Sequence, residues 1–239
     1  MMPAIKQEVP VLRRVEDVDG WRWYSHGDIL RAEDMYAGVT GILDIAVPAS
    51  LKKYFVDNSK NKQEKRLTET GNIGSDIHTC VEIDLSGGKP DLTELTKPAF
   101  DQWLILKDKH KIKAFSTETM VYSPKYGFAG TYDIYGEFEG KPCVMDIKTG
   151  FFSVKAGWQM AAYRHAAIEL GLIPKDAGMV GIQVHRDGRI GQPFIFQHLD
   201  WCLKSFVSCF EVWKALYFTK LNKIEWPWLK VSSLDALKE

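Results

Sequence analysis

The sequence has few cysteines and no excess of either charge. Only 4 of its 239 residues are Cys, and no two of them form the C-x-x-C pair typical of zinc sites. We therefore expect reduced thiols rather than a disulfide scaffold. The 31 Lys and Arg residues balance the 31 Asp and Glu residues, so the formal net charge is zero. This balance excludes a globally basic nucleic-acid binder, and any contact with a polyanion must come from a local patch.

Long hydrophobic runs and targeting signals are also missing. The longest apolar stretches, residues 36–47 and 206–218, are shorter than the ~20 residues that a membrane span needs. The amino terminus lacks the layout of a secretory signal and carries acidic residues that a transit peptide avoids. We therefore predict a cytoplasmic protein, in a bacterium or in a host cell infected by a phage, that is neither secreted nor bound to a membrane.

The chain is predicted to form one domain. No period of 20–50 residues repeats and no low-complexity tract is present, which disfavours solenoids and propellers. A chain of 239 residues can bury one sizeable core but is cramped for two unrelated domains. We predict a single domain over residues 1–239, with an N-terminal elaboration at 1–70, a core at 71–200 that holds the candidate site residues, and a C-terminal helix and tail at 201–239.

Hydrophobic periodicity divides the core into helices and strands. Ile73, Ile77 and Val81 recur every four positions, which predicts an amphipathic helix that stops at Gly87 and Gly88. Segments rich in β-branched and aromatic residues between turn signals predict strands. In chain order we predict the helices 71–85, 91 or 98 to 109, 153–170 and 200–221, and the strands 116–123, 127–138, 142–148, 179–185 and 191–198.

The segments before the first predicted helix are less regular. Residues 1–35 are predicted to be irregular, 39–45 to form a short strand or the start of a helix, and 51–70 to form a solvated helical arm or loop. After them come a helix, three antiparallel strands, a helix, a hairpin and a last helix. This order indicates an α+β or mixed α/β fold in which helices flank a central mixed β-sheet.

Two aspartates can meet across one predicted hairpin. Alternation along the strand that ends at Lys148 places this lysine and Asp146 on one face. If the Glu139-Gly140 dipeptide forms a two-residue turn, Asp133 lies opposite Asp146, with Cβ atoms about 4.5–5.5 Å apart. Two carboxylates at this spacing can bind one hard divalent ion such as Mg²⁺ or Mn²⁺. Glutamate is unfavourable at the positive φ of a type I′ turn, so a longer loop with another register stays open.

Two further polar pairs have helical spacing. His78 and Glu82 share a face of the first predicted helix, and Gln159 and Tyr163 share a face of the helix that follows the strand with Asp146. A helix packed on the sheet can direct such side chains toward the two aspartates. Each pair also has a purely structural interpretation, as capping or interface polar residues.

These polar residues form an ordered set of motifs. Gly130–Asp133 has the pattern G-x-x-D, Asp146–Gly150 has D-x-K-T-G, and Gln159–Tyr163 has Q-x-x-x-Y. Upstream, His78 ends the segment G-S-D-I-H, and residues 39–43 are V-T-G-I-L. In order and spacing, the motifs resemble those of the PD-(D/E)XK nuclease superfamily. They look most similar to its RecB-type exonuclease branch, which includes phage exonucleases and mitochondrial genome maintenance exonucleases.

The resemblance covers about residues 36–165 and implies a restriction-endonuclease-like core. It implies that His78, Asp133 and Asp146 bind Mg²⁺ or Mn²⁺, with the backbone carbonyl of Ile147 as a further ligand. It makes Lys148 the catalytic lysine, a point charge beside the scissile phosphate. A metal ion held in this way supplies a water that is nucleophilic near neutral pH and stabilises the charge that develops on the phosphate.

Further residues receive roles from the same resemblance. Glu82 or Glu118 can complete a second metal site, and Gln159 and Tyr163 support the catalytic site or contact the DNA backbone. Independently of the resemblance, contacts with nucleic acid are predicted for three residues after the D-x-K strand, namely Phe151, Phe152 and Lys155, because aromatic rings there can stack on unpaired bases. Relatives with an iron-sulfur cluster use four cysteines, usually one upstream and three near the end of the chain. Because Cys202 and Cys209 form only a pair here, no iron-sulfur cluster is expected.

The function implied by the resemblance is that of a metal-dependent deoxyribonuclease. An exonuclease is favoured over a sequence-specific endonuclease, because nothing in the sequence resembles a separate specificity domain. The expected partners are DNA, as single strands or linear duplex ends, and a second copy of the chain or a protein of DNA replication, recombination or repair. Two alternatives stay open: a catalytically inactive DNA-binding or assembly protein on the same fold, and a zinc hydrolase that uses His78 and Glu82.

Overall fold

The structure, a computed structural model, describes residues 12–16, 22–26, 35–46, 60–150 and 152–220. Within these ranges, the strands are β1 (Leu12–Glu16), β2 (Arg22–His26), β3 (Met35–Gly38), β4 (Lys113–Ser123), β5 (Phe128–Phe138), β6 (Lys141–Lys148), β7 (Gly178–Gln183) and β8 (Gln192–Ile195). The helices are α1 (Val39–Leu43), α2 (Lys60–Leu85), α3 (Lys97–Lys109), α4 (Val154–Glu169) and α5 (Leu199–Lys220). In this part of the chain, no helix is long and apolar enough to cross a bilayer.

All the described strands join one mixed sheet. Its order is β1-β2-β3-β5-β6-β7-β8, and β4 pairs with β5 beside this path. The β3–β5 and β6–β7 pairs are parallel, and the other pairs are antiparallel. Helix α4 lies between β6 and β7 in the chain, because parallel neighbours need a long crossover connection. The predicted central mixed sheet flanked by helices is therefore confirmed.

The two faces of the sheet carry two separate hydrophobic cores. Val144 packs into a cluster with residues of α1, α4 and α5, such as Ala162 and Phe206. Met145 and Ile147 pack into the other cluster, with residues of α2 and α3. The alternation predicted for β6 is thus correct. It leaves Asp146 on the side of α4 and α5, where Val144 lies.

The β5–β6 hairpin has a two-residue turn, one of the two options that the sequence left open. Glu139 and Gly140 have φ values of 53° and 77°, and the ladder runs from the pair Phe138–Lys141 to the pair Ile134–Met145. Glu139 adopts a positive φ in this turn because two contacts with His110 stabilise it. Its backbone N–H donates to the carbonyl of His110 at 2.9 Å, and its carboxylate lies 2.8 Å from the ring of the same histidine.

For the first 70 residues, the structure corrects one prediction and resolves two alternatives that the sequence left open. Residues 1–35 were predicted to be irregular, but β1 and β2 lie within them and pair antiparallel. Residues 39–43 are helical, which resolves the choice left open there. Helix α2 begins at Lys60 rather than at residue 71, so the charged arm continues the predicted helix. Its first part, 51–59, lies outside the described residues. Since β1 to β3 belong to the same sheet as the core strands, the division at residue 70 stays only a prediction.

Candidate metal site and cleft

The candidate site lies where the sheet divides. Along one edge of β5, β3 pairs with Phe128 and Ala129, whereas β6 pairs with Ile134–Phe138. Among the described strands, residues 130–133 therefore have no ladder partner on that edge. A cleft of about 470 Å³ opens at this point, and Asp133 is one of the residues that line it.

Along strand β5, the alternation of side chains between the two faces of the sheet is interrupted at Asp133. Tyr132 packs into the core beneath α4 and α5, whereas Ile134 packs into the core beneath α2 and α3. In a regular strand, residues two apart face the same side, so the alternation slips at Asp133. On β4, Glu118 lies opposite this residue in the register and has a φ of 43°. These two irregular positions bring both carboxylates to the cleft.

The Asp133 carboxylate accepts a hydrogen bond that a backbone carbonyl would accept in a continuous β-ladder. Its Oδ2 accepts the backbone N–H of Ile147 at 2.9 Å, just beyond the last β5–β6 pair. The side chain is only 16% exposed, which leaves it few alternative positions. Asp133 is therefore held by the end of β6 rather than by the pairing of its own backbone.

The imidazole of His78 is oriented by the same end of β6. Its Nε2 lies 2.9 Å from the carbonyl oxygen of Ile147, and because a carbonyl only accepts, Nε2 carries the hydrogen. In the neutral ring, Nδ1 then presents a lone pair to Oδ2 of Asp133 at 3.3 Å. Two acceptors at this distance repel each other unless a proton or a cation lies between them. Metal-binding histidines usually donate their other ring N–H to a carbonyl or carboxylate in this way.

Glu118 offers a third ligand atom beside those of His78 and Asp133. We call these three residues the candidate metal site. One ligand atom from each residue lies within 4.8 Å of the others. Burial, and after it the nearby Asp133 carboxylate, raises the pKa of Glu118 to about 7, while His78 opposes the rise. Because the carboxylates repel each other, a divalent cation would relieve the repulsion. Two carboxylates and an imidazole suit Mn²⁺, and Mg²⁺ through the oxygens.

Asp146 and Lys148 form an ion pair with each other. The ammonium lies 3.0 Å from Oδ1 and 2.8 Å from Oδ2 of Asp146, which is 3% exposed. Burial raises the pKa of Asp146 to about 6, although the Lys148 charge opposes the rise. Burial acts to lower the pKa of Lys148, but Asp146 and Asp133 together raise it above its ordinary value. Asp146 was expected to bind metal, and the structure does not place it within the candidate metal site.

Gln159 and Tyr163 line the cleft together with the candidate metal site. The Gln159 amide donates to the hydroxyl oxygen of Tyr163 at 2.9 Å, and the tyrosine is almost fully buried, which raises the pKa of its hydroxyl. The ring of Tyr163 lies against Gly130, where a Cβ atom would collide with it. The glycine of the G-x-x-D motif is therefore explained by packing. Glu82 also lines the cleft, one helical turn after His78.

Three cleft residues were not found by the sequence analysis. Arg14, Arg22 and Tyr24 line the wall made by β1 and β2. They lie in the segment predicted to be irregular, and no motif marks them. Residues 12–16 have the sequence L-R-R-V-E, in which polar and apolar residues do not alternate, so no local pattern indicated a strand there.

Of the three residues predicted to contact nucleic acid, two lie outside the cleft and one is outside the described residues. Phe151 is not among the described residues. Phe152 stacks on Phe194 with ring centroids 4.6 Å apart and packs over Gly181. Lys155 lies 3.7 Å from the carboxylate of Asp44. Neither of these two side chains lines the cleft.

Comparison with known proteins gives a likeness of fold. No protein-family model matches the sequence, and no curated protein matches it. The structure is similar to a crystal structure described as a "putative exonuclease" from Eubacterium rectale, with a TM-score of 0.50 and 12% sequence identity. The match covers 88% of this chain and 98% of the other. At this identity the likeness concerns the fold alone.

Two other structures match more weakly. The alkaline exonuclease LHK-Exo from Laribacter hongkongensis has a TM-score of 0.28 and 10% identity over 80% of this chain and 95% of its own. The same enzyme in complex with dAMP has a TM-score of 0.27 and 12% identity over the same shares. These scores are too low to support an argument about this chain.

Proposed function

We propose that the protein is a deoxyribonuclease that depends on Mg²⁺ or Mn²⁺ and acts as an exonuclease. The observation that carries this proposal is the candidate metal site, in which His78, Glu118 and Asp133 converge within 4.8 Å in an open cleft. The likeness of fold to an exonuclease is in agreement with it. The RecB-type branch, the cytoplasmic location, and a role in DNA replication, recombination or repair are parts of the same proposal.

The residues of the chain have distinct tasks in this proposal. His78 and Asp133 are held by the main chain of Ile147, so their ligand atoms are oriented before a metal ion binds. A bound divalent ion supplies an activated water and stabilises the charge on the phosphate. Lys148 keeps its proton because Asp146 stands beside it, so it can place a positive charge against the phosphate or orient water.

Asp146 has a supporting task in this arrangement. Its carboxylate neutralises Lys148 within the protein and limits where the ammonium can lie. A direct role of Asp146 as a metal ligand, with the Ile147 carbonyl, remains part of the proposal. It would require Asp146 to exchange its contact with Lys148 for the ion.

The experiment that tests the function is a time course on end-labelled DNA. Single strands and linear duplexes are incubated with Mg²⁺, Mn²⁺, Zn²⁺ or a chelator. We expect degradation with Mg²⁺ or Mn²⁺, none with the chelator, and almost none for Asp133→Asn. Asp101→Asn is the matched control, because Asp101 pairs with Lys97 on the surface and is not part of the cleft.

The results also separate the alternatives. DNA binding without cleavage under any metal would indicate an inactive binding or assembly protein and would contradict the proposed activity. Cleavage that requires Zn²⁺ and survives Lys148→Ala would indicate a zinc hydrolase. Mononucleotides released from one end identify an exonuclease and its polarity, whereas internal fragments would contradict an exonuclease.

A further inference from the structure

Two arginines stand on the cleft wall formed by β1 and β2. Arg14 pairs with Tyr24 across this hairpin, and Glu16 pairs with Arg22. Because residues two apart along a strand share a face, Arg14 and Arg22 lie on the same face. Both arginine side chains are exposed, and both line the cleft that contains the candidate metal site.

The hairpin is held close to the cleft by backbone packing. A Cβ atom on Gly38 would lie 2.6 Å from the carbonyl oxygen of Arg22 and 3.0 Å from its Cβ. The β2 backbone therefore passes directly over the junction of β3 and α1, where only glycine leaves enough room. Val39 and Thr40, the next two residues, line the cleft themselves. This contact fixes the position of Arg22 relative to the cleft.

The charges of the cleft make these arginines chemically distinctive. Its lining includes three carboxylates, Glu82, Glu118 and Asp133, but among the described lining residues Arg14 and Arg22 are the only permanently cationic side chains. With all of them ionised, the lining has a formal charge of −1, which would repel a phosphate. Among the carboxylates whose side chains the structure describes, none forms an ion pair with Arg14 or Arg22, and both arginine side chains are exposed at the cleft.

We propose that Arg14 and Arg22 bind a backbone phosphate of a polynucleotide, separate from the phosphate at the candidate metal site. The inference rests on the proposed function and specifies its substrate class as a strand several nucleotides long rather than a single nucleotide. Guanidinium groups suit this task because they bind phosphate oxygens in a bidentate manner and never lose their charge. Because the carboxylates oppose binding, a divalent cation in the cleft strengthens the attachment of the strand.

The test is a binding measurement on the full chain. Fluorescence anisotropy is recorded with a labelled single strand of about 20 nucleotides, with Ca²⁺ in place of the catalytic ion and over a range of salt concentrations. Arg14→Gln and Arg22→Gln are each expected to weaken binding about fivefold to tenfold and to reduce the log–log salt slope by about 0.7 per contact. Arg13→Gln is the matched control, since Arg13 is the neighbouring exposed arginine on the opposite face of β1 and does not line the cleft.

Two controls separate this inference from a change in folding or in the metal site. Thermal unfolding and Mn²⁺ affinity, measured by calorimetry, are expected to be the same in the two arginine variants and the natural chain. Strand binding that is unchanged in both variants, or weakened equally by Arg13→Gln, would overturn the inference. So would a loss of Mn²⁺ affinity that matches the loss of strand binding. If the natural chain binds the strand through these arginines but cleaves no DNA, the proposed function fails and the inference stands.

Discussion

The carboxylate of Asp133 accepts the main-chain N–H of Ile147 at 2.9 Å, just beyond the point where β5 and β6 stop pairing. The main-chain carbonyl of the same isoleucine accepts the ring N–H of His78. One residue of β6 thus positions two members of the candidate metal site through its backbone, while its side chain is buried in the α2 and α3 core. The geometry of the site therefore depends on the position of β6 and not on flexible loops.

Replacing Asp133 by asparagine separates metal binding from folding. In Asp133→Asn, the amide oxygen of the new side chain can still accept the Ile147 N–H, so the midpoint of thermal unfolding is expected to change little. The loss of the negative charge is expected to reduce DNA cleavage roughly 100-fold or more. Cleavage rates with Mn²⁺ and Mn²⁺ affinity by calorimetry check this result. Equal cleavage by Asp133→Asn and the natural chain would contradict a role in the metal site.

Removing Lys148 tests the buried ion pair. In Lys148→Ala, the carboxylate of Asp146 is left without its counter-charge, and the free energy of unfolding is expected to fall by about 2–3 kcal/mol near neutral pH. The pKa of Asp146 is already raised by burial, so the folded variant takes up a proton more readily than the unfolded chain. The destabilisation is therefore expected to shrink as the pH falls from about 8 to about 5.

Urea unfolding at the two pH values measures this effect. The double variant Asp146→Asn with Lys148→Met, which removes both charges, is expected to recover part of the lost stability and to show a weaker dependence on pH. A Lys148→Ala variant that is equally destabilised at both pH values would show that the ion pair does not control the charge of Asp146.

Glu118 is expected to link metal binding to proton release. Its pKa of about 7 in the metal-free fold lies above the ordinary value, so the fold favours the protonated form. Its contribution to stability is fully present below the ordinary pKa and is lost as the pH rises through about 7. A bound cation needs the carboxylate, so Mn²⁺ affinity is expected to rise from about pH 6 to about pH 8, with a proton released near neutral pH.

Calorimetry in two buffers with different ionisation enthalpies counts these protons. Glu118→Gln is expected to abolish the release and to stabilise the metal-free protein at about pH 8 by about 1 kcal/mol, a figure reduced for the exposed position of the side chain. Glu94→Gln, an exposed glutamate in the segment before α3, is the matched control. Proton release that persists in Glu118→Gln would assign it to another group.

Gly130→Ala is expected to disturb the site through Tyr163. The added methyl group would collide with the tyrosine ring, and relief of this overlap is expected to cost about 1–3 kcal/mol of unfolding free energy. Because Tyr163 accepts the hydrogen bond from Gln159, cleavage activity is expected to fall as well. Gly150→Ala is the control, since a Cβ atom there meets nothing within 4 Å. Equal stability of the two variants, measured by urea unfolding, would contradict the collision.

Much of the core could be predicted from local patterns. The four-residue spacing of apolar residues indicated the second half of α2, and alternation indicated the two faces of β6. The register of β5 and β6 followed by symmetry from a two-residue turn at Glu139 and Gly140, one of the two options that the sequence left open. The polar motifs pointed to His78, Asp133 and Lys148.

The short strands β1 and β2 could not be predicted, because five residues carry too little periodicity and their pairing is decided by contacts with β3. For the same reason, the sequence did not indicate Arg14 and Arg22 as cleft residues, because they line the cleft only through the position of the β1–β2 hairpin.

The sequence by itself determined the elements of the core and the set of polar side chains, because periodicity and motif order are local properties of the chain. Only the tertiary structure decided which of these side chains meet. Since β3 and β6 occupy different stretches of one edge of β5, the sheet divides at residues 130–133. The slip at Asp133 then turns its carboxylate toward His78 and Glu118 and leaves Asp146 with Lys148. A register that assumes regular strands cannot predict this interruption of the alternation, because the interruption arises from packing on both faces of the sheet at once.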